Sequence, residues 1–98
     1  MILEAAMLQI KQGLTAEFEA SFRQASPLIA SIEGYRGHEL QHCLEDEHKY
    51  LLLVKWRALE DHTTGFRESA QYQEWKALLH RFYEPFPAVE HFTGVNLE

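Results

Sequence analysis

The chain has 98 residues, a length that suits one domain, and we interpret residues 1–98 as a single domain. Hydrophobic residues make up 46% of the chain and charged residues 24%, which is typical of a folded globular protein and excludes a disordered one. Nine Lys and Arg against fifteen Asp and Glu give a formal net charge of −6, which argues against nucleic acid as a partner because phosphate binding requires a basic surface.

The cysteine content, the length of the apolar runs and the first residues together indicate where in the cell the protein is located. Cys43 is the single cysteine, so it can form no internal disulfide and cannot hold a metal alone. No apolar run approaches the roughly 18 residues of a membrane span. The first residues lack the basic start and the cleavage site of a signal peptide. We therefore expect a cytoplasmic protein that does not bind membranes.

The first third of the chain predicts a strand and a helix. Residues 2–10 are apolar and nearly uncharged, which indicates a strand buried on both faces. A helix follows, which Thr15 can cap, with apolar residues at steps of three and four. Pro27 lacks an N–H group and predicts a break at Ser26, which could cap a second helical piece. The turn 33–37 ends the helix with a glycine suited to a left-handed cap.

The remainder predicts a hairpin, a helix and a last strand. Residues 38–44 alternate in character and 49–57 form the strongest apolar strand, so the short polar connection between them predicts an antiparallel hairpin. The next helix begins near Asp61 and is interrupted near Ser69, and two prolines stop it before a strand over 88–95.

This order of elements predicts an α+β fold of ferredoxin-like type, βαββαβ, with a four-stranded antiparallel sheet and both helices on one face. Leu51 and Leu53 point to the opposite face from Leu52 and Val54, so the strand is apolar on both sides. Two helices can cover only one face, and a second copy of the same sheet is the simplest cover for the other. We therefore expect a homodimer that buries roughly 800 Å² on each subunit.

The chain also resembles a known family, the antibiotic biosynthesis monooxygenases. The residues that carry the resemblance are the turn Glu33-Gly34-Tyr35-Arg36-Gly37, the apolar strand ending in Trp56, and the run Asp61-His62…Phe66-Arg67…Ser69…Tyr72…Trp75. The resemblance covers essentially the whole chain. It implies a dimeric α+β barrel in which two ferredoxin-like subunits join their sheets and each encloses a cavity between sheet and helices. Some members of that family oxygenate phenolic or quinol-like compounds without metal or flavin, and others degrade haem.

The haem-degrading branch fits this chain poorly. Its members resemble one another in an Asn on the first strand, a Trp on the helix after the third strand and a His further along that helical run. Here the first strand has no Asn, Phe66 stands at the Trp position and Lys76 stands at the His position. We therefore expect no cofactor, although His80 lies one turn later.

The resemblance favours a cofactor-independent monooxygenase that acts on O2 and a small aromatic, phenolic or quinol-like metabolite. Such a reaction needs a base to deprotonate the substrate, because the resulting anion can pass an electron to O2. A non-catalytic, small-molecule-binding dimer of the same fold is the alternative, since nothing in the sequence requires turnover.

Three histidines are candidate catalytic bases, because the unperturbed pKa of histidine is about 6.5. His62 follows Asp61 in the first turn of a helix, where the helix dipole favours the neutral ring and Asp61 opposes it. A surface residue that makes a capping contact is the other interpretation of His62. His38 and His91 lie on different strands and could each face a cavity or simply pack in a core or an interface.

The sequence does not predict a metal site. His38 and His42 are spaced like a helical metal pair, but on a strand four residues span about 13 Å, which is too far to share one zinc ion. The exception would be a meeting of His38 and His91 across chains, with Glu90 nearby.

Aromatic residues could line a flat pocket for a planar substrate. Arg67 could hold an anionic oxygen there, or it could lie exposed and pair with Glu68 or Glu74. Ordinary core packing is the alternative for the aromatic residues. The candidates for substrate binding, besides Arg67, are Trp56, Phe66, Tyr72, Trp75 and Phe82, and Tyr83 and Phe92 could join them.

Overall fold

The computed structural model describes all 98 residues and confirms the predicted order of elements. The strands are β1 (Ile2–Gln9), β2 (Tyr35–His42), β3 (Lys49–Trp56) and β4 (Val89–Phe92), and the helices are α1 (Thr15–Ala30) and α2 (Ala70–Leu79). A π-helical segment, Asp61–Phe66, precedes α2, and a 3-10 turn, His80–Phe82, follows it.

The four strands form one antiparallel sheet in the order β2-β3-β1-β4. This order confirms the predicted ferredoxin-like α+β fold, with β3 and β1 at the centre. Glu4 on β1 lies between Val54 on β3 and His91 on β4. Because residues that face each other across antiparallel strands project to the same side, the side chains of Glu4 and His91 share the inner face.

The core lies between the inner face of the sheet and the two helices. Strand side chains alternate between faces, so every second residue is buried from Glu4 to Leu8 on β1 and from Tyr50 to Trp56 on β3. Buried residues of both helices join the same hydrophobic cluster, including Phe18 and Ile29 of α1 and Trp75 and Leu79 of α2.

The opposite face of the sheet, here called the outer face, is left without a covering element. Met7 and Phe92 on this face are 50% and 51% exposed. The apolar side chains of the outer face are Leu3, Ala5, Met7, Leu51, Leu53 and Phe92.

The predicted break at Ser26 is wrong, because α1 continues unbroken to Ala30. Pro27 lies in the last turn of α1. Its missing N–H therefore costs the helix one backbone hydrogen bond close to its end, where the helix has only one more turn to complete. The Ser26 hydroxyl donates to the Phe22 carbonyl at 3.0 Å, and the buried Ile29 anchors the last turn to the core.

Two strands have different bounds from those predicted. β2 begins at Tyr35, which pairs with Trp56, and an irregularity of register follows at Gly37. β4 ends at Phe92, which pairs with Leu3 on β1, so it is shorter than the predicted strand over 88–95.

The turn before β2 fixes the start of the π-helical segment. Gly34 has a φ of +91°, as its predicted left-handed role requires, and a Cβ there would collide with the side chain of Asp61. The Asp61 carboxylate accepts a bond from Arg57 at 2.8 Å and one from the Ala58 N–H at 3.0 Å. Asp61 therefore closes the loop after β3 and directs the next residue, His62, inward.

Candidate active site

A cavity of about 350 Å³ lies between the inner face of the sheet and the segment that contains α2. Its volume is within the range of small-molecule sites, roughly 300 to 1,000 Å³. Most of its wall is apolar, with side chains from β1, β3, α2 and the segment before β4. The polar residues in the wall are Glu4, His62, Arg67, Tyr72, His80 and Tyr83.

Glu4 is a buried carboxylate in this wall, with only 4% of its surface exposed. It faces inward because it has the same parity on β1 as the buried Ala6 and Leu8. The Trp56 indole N–H donates to Glu4 Oε1 at 2.9 Å. Burial raises the pKa of Glu4, while the Trp56 hydrogen bond and the positive charge of Arg67 work in the opposite direction.

His62 lies directly against Glu4 and is 3% exposed. Its Nε2 is 3.4 Å from Glu4 Oε1, and its ring stacks on Trp56 with centroids 5.5 Å apart. Burial, together with the smaller effects of the Arg67 and His91 charges, lowers the pKa of His62 to about 3. The ring is therefore neutral near pH 7.

His91 on β4 extends this group toward the surface. Its Nε2 is 2.8 Å from His62 Nδ1, a hydrogen bond in which one ring donates and the other accepts. Burial and the nearby Arg67 lower the pKa of His91 as well. Glu4, His62 and His91 therefore form a continuous polar chain, which we call the Glu4–His62–His91 chain.

The charge of Asp61 is compensated away from this chain. Arg57 holds the pKa of Asp61 below its usual range through a direct hydrogen bond. The expected opposition of Asp61 to a neutral His62 therefore does not appear, and burial decides the state of the ring.

The other end of the cavity is aromatic, with a few polar atoms. The ring of His80 lies 4.9 Å from that of Phe86 and 5.7 Å from that of Tyr83, centroid to centroid. Burial lowers the pKa of His80 and raises that of Tyr83. Phe86 is exposed and lies in the wall, so this end opens toward solvent.

The structure brings most of the predicted site residues to one cavity. Five of the candidate substrate-binding residues line it, namely Phe66, Arg67, Tyr72, Trp75 and Tyr83. Arg67 is exposed and forms no ion pair in the structure. The alternative in which it pairs with Glu68 or Glu74 is therefore not observed.

Five predicted residues lie outside the wall: Phe92 is on the outer face of the sheet, His91 reaches the site only through its bond to His62, and the others are Trp56, Phe82 and His38. Trp56 is fully buried behind Glu4 and reaches the site only through its hydrogen bond. Phe82 is fully buried and packs against Phe18, with centroids 5.7 Å apart. His38 lies on the inner face of β2, where its ring nitrogens contact the Tyr35 hydroxyl and, at 3.1 Å, Ser26 Oγ.

Glu4 is the site residue that the sequence interpretation missed. The apolar composition of residues 2–10 predicts a strand buried on both faces and gives no role to its one carboxylate. The available signal was the two-residue period, which places Glu4 on the same face as Ala6, Leu8 and Ile10. A carboxylate inside an apolar strand is expected to have a specific partner.

No group of three or more His, Cys, Asp and Glu side chains is arranged to hold a metal ion. None of the helices combines the length and the apolar composition that crossing a membrane would demand.

The fold is ferredoxin-like, and the cavity between sheet and helices has a volume that suits a small molecule. A family model described as antibiotic biosynthesis monooxygenase matches residues 1–78, and the chain belongs to this family. It is 65% identical over 95 residues to the uncharacterized protein YczJ of Bacillus subtilis, covering 97% of this chain and all of that one.

Two solved structures place the chain within the same fold. A protein from Bordetella bronchiseptica assigned to the family is 35% identical, with a TM-score of 0.92 and 97% of each chain covered. SnoaB, a cofactor-independent oxygenase from Streptomyces nogalater, is 17% identical, with a TM-score of 0.80 and coverage of 97% of this chain and 93% of that one. The similarity to SnoaB at this identity concerns the fold.

Proposed function

We propose that this protein is a cofactor-independent monooxygenase that acts on a small aromatic, phenolic or quinol-like metabolite. The observation that carries the proposal is a mainly apolar cavity with the Glu4–His62–His91 chain, of which Glu4 and His62 are buried, beside Arg67. Family membership supports the oxygenase class, and SnoaB is an example of such chemistry on the same fold.

The reaction needs no external electron donor, because the substrate itself is the reductant. A base in the chain around His62 removes a proton, and the resulting anion passes an electron to O2 in a site shielded from water. Oxidation of a ring CH2 group then consumes one O2, placing one oxygen atom in the C=O product and the other in water. Arg67 supplies a positive charge for the anionic oxygen that forms.

The proposal includes a homodimer joined through the outer face of the sheet. Six apolar side chains lie on that face, and no element of the chain covers them. Two copies would hide this surface from water and leave the cavity of each subunit intact. We further propose a cytoplasmic location, where the one free cysteine, Cys43, stays reduced.

Oxygen consumption tests the proposed activity. The purified protein, with metals chelated, is offered a panel of hydroquinones and anthrone-like phenols, and we expect O2 uptake that depends on the protein. Replacing His62 with Ala should lower the rate by about 10²-fold or more, since it disrupts the buried proton-accepting chain. His48→Ala, in the turn between β2 and β3, serves as the matched control and should leave the rate unchanged.

Two results would contradict this assignment. Binding of the phenols without O2 uptake would indicate the non-catalytic binding protein instead. Equal rates for the wild type and the His62→Ala variant would show that the chain around His62 takes no part in proton transfer.

A further inference from the structure

We propose that the carboxylate of Glu4 is the catalytic base, accepting the substrate proton at Oε2, and that His62 and His91 are positioning residues. This inference rests on the proposed function, which leaves open which atom of the Glu4–His62–His91 chain takes the proton. The two oxygens of Glu4 and the two nitrogens of His62 have different surroundings, and these decide the question.

Oε1 of Glu4 is occupied, whereas Oε2 is free. Trp56 donates to Oε1 at 2.9 Å, and His62 Nε2 lies 3.4 Å from the same oxygen. Oε2 makes no hydrogen bond. Every fully buried side-chain oxygen or nitrogen in the structure does have a hydrogen-bond partner. Oε2 is therefore not fully buried, and because Glu4 belongs to the cavity wall, this oxygen is open to the cavity.

The hydrogen positions on His62 follow from its two neighbours. An ionised Glu4 favours a hydrogen on Nε2, which faces the carboxylate, over a lone pair. A neutral ring then has its lone pair on Nδ1, where it accepts the N–H of His91 Nε2 at 2.8 Å. With its hydrogen on Nε2, His62 has no lone pair to offer the substrate, and this hydrogen stabilises the negative charge of the carboxylate, whose Oε1 lies 3.4 Å from Nε2.

The electrostatics of the wall suit this assignment. Burial raises the pKa of Glu4, which makes the carboxylate a stronger base, whereas burial lowers the pKa of His62 to about 3. In the transfer, the substrate O–H bond breaks and an O–H bond forms at Oε2. The anionic charge moves from the carboxylate to the substrate oxygen, so the total charge near Arg67 does not change. A neutral phenol or enol is therefore the substrate class that the site accepts.

Ionisation of a bound phenol tests the base without requiring turnover. The probe is 4-nitrophenol, whose phenolate absorbs at longer wavelength than the phenol, added to the protein under argon at a pH where the free probe is mostly protonated. We expect the wild type to bind part of the probe as phenolate. Glu4→Gln, which keeps an oxygen for the Trp56 N–H, should reduce the bound phenolate by at least about tenfold.

Three further variants separate the roles. His62→Gln should lower the phenolate fraction less than Glu4→Gln does, because the carboxylate remains but is less well oriented. Glu4→Asp, which withdraws the carboxylate by one methylene, should give an intermediate value and is the comparison to use if Glu4→Gln does not fold. Glu74→Gln, on the exposed side of α2 and outside the cavity wall, is the matched control and should behave as the wild type does.

The possible outcomes distinguish this inference from the proposed function. Loss of the phenolate in His62→Gln with its retention in Glu4→Gln would overturn the inference and make His62 the base. A wild type that binds the probe only as phenol would also overturn it. Bound phenolate that depends on Glu4, without O2 uptake from any quinol or anthrone, would support the base and refute the monooxygenase.

Discussion

Trp56 and Glu4 form the hydrogen bond on which the polar end of the cavity depends. Both are buried, so removing the indole N–H leaves a carboxylate oxygen without its 2.9 Å donor. An unsatisfied buried polar group costs roughly 1 to 3 kcal/mol, and more when it is charged. The pKa of Glu4 should rise further in such a variant, because the Trp56 bond opposes the effect of burial.

We predict that Trp56→Phe lowers the free energy of unfolding by about 1 to 3 kcal/mol more than Trp75→Phe does. Trp75 is the matched control, since it is also buried beside the cavity but its N–H makes no side-chain hydrogen bond. Urea unfolding at pH 7 measures both values. Equal losses would show that the bond to Glu4 contributes nothing beyond the packing of the ring.

A second prediction at this scale concerns pH. The pKa of His62 is about 3 in the folded protein and about 6.5 in the unfolded chain, so below pH 6.5 only the unfolded chain takes up this proton. The contribution of the neutral His62 to the free energy of unfolding is therefore complete above pH 6.5. It is lost as the pH falls toward 3, by up to about 1.4 kcal/mol per pH unit. Glu4 acts in reverse, since its raised pKa removes stability as the pH rises above about 4.5.

His62→Gln should flatten the acid side of this profile. Urea unfolding at pH 7.5, 6.5 and 5.5 should give a smaller decrease in the free energy of unfolding for the variant than for the wild type. A decrease of the same size in both proteins would mean that His62 accepts its proton as easily in the folded state as in the unfolded one.

At the scale of elements, Ser69 connects the two segments that carry most of the cavity wall. Its hydroxyl donates to the Phe66 carbonyl at 2.6 Å and accepts the Tyr72 N–H at 3.1 Å, which caps the first turn of α2. The predicted interruption near Ser69 is thus confirmed as the boundary between the π-helical segment and α2. We expect the cap to hold the side chains of Phe66 and Tyr72 in place.

Ser69→Ala should lower the free energy of unfolding by about 1 kcal/mol, because an N–H at the start of α2 loses its partner. Ser31→Ala is the matched control: its hydroxyl only donates to the Leu28 carbonyl at the end of α1, so we expect a loss of a few tenths of a kcal/mol. Chemical denaturation compares the two. A smaller loss for Ser69→Ala than for Ser31→Ala would contradict the capping role.

Most elements could be predicted from sequence because their signals are local. The two-residue period of β3 and the glycine turn before β2 act within a few residues. The course of α1 through Pro27 could not be predicted, since the packing of its last turn against the core outweighs a local preference. The pairing of His62 with Glu4 and His91 joins residues 58 and 29 positions apart, and it depends on the sheet register and on how the π-helical segment packs on the sheet, neither of which is local.

For the whole molecule, the outer face of the sheet is the feature on which the proposed dimer depends. Leu53 lies near its centre, opposite Ala5 on β1. We predict that the wild type is a dimer at low micromolar concentration and that Leu53→Glu is a monomer, because a carboxylate would be buried without a partner in the interface. Leu44→Glu is the matched control, since Leu44 is 95% exposed in the turn after β2.

Sedimentation velocity measures the assembly of all three proteins. Leu44→Glu should sediment with the wild type, and Leu53→Glu should sediment more slowly. A wild type that sediments as a monomer would contradict the dimer, and so would a Leu53→Glu variant that remains dimeric.

Isotope incorporation tests the central claim most directly, which is that the cavity beside Glu4 and His62 inserts one atom of O2 into its substrate without a cofactor. The wild type, with metals chelated, is incubated under ¹⁸O2 with the anthrone or quinol that gives the fastest O2 uptake, and the product is examined by mass spectrometry. We predict one ¹⁸O atom in each product molecule, and almost no labelled product from Glu4→Gln. Product without ¹⁸O, or equal labelling by the wild type and Glu4→Gln, would contradict the account.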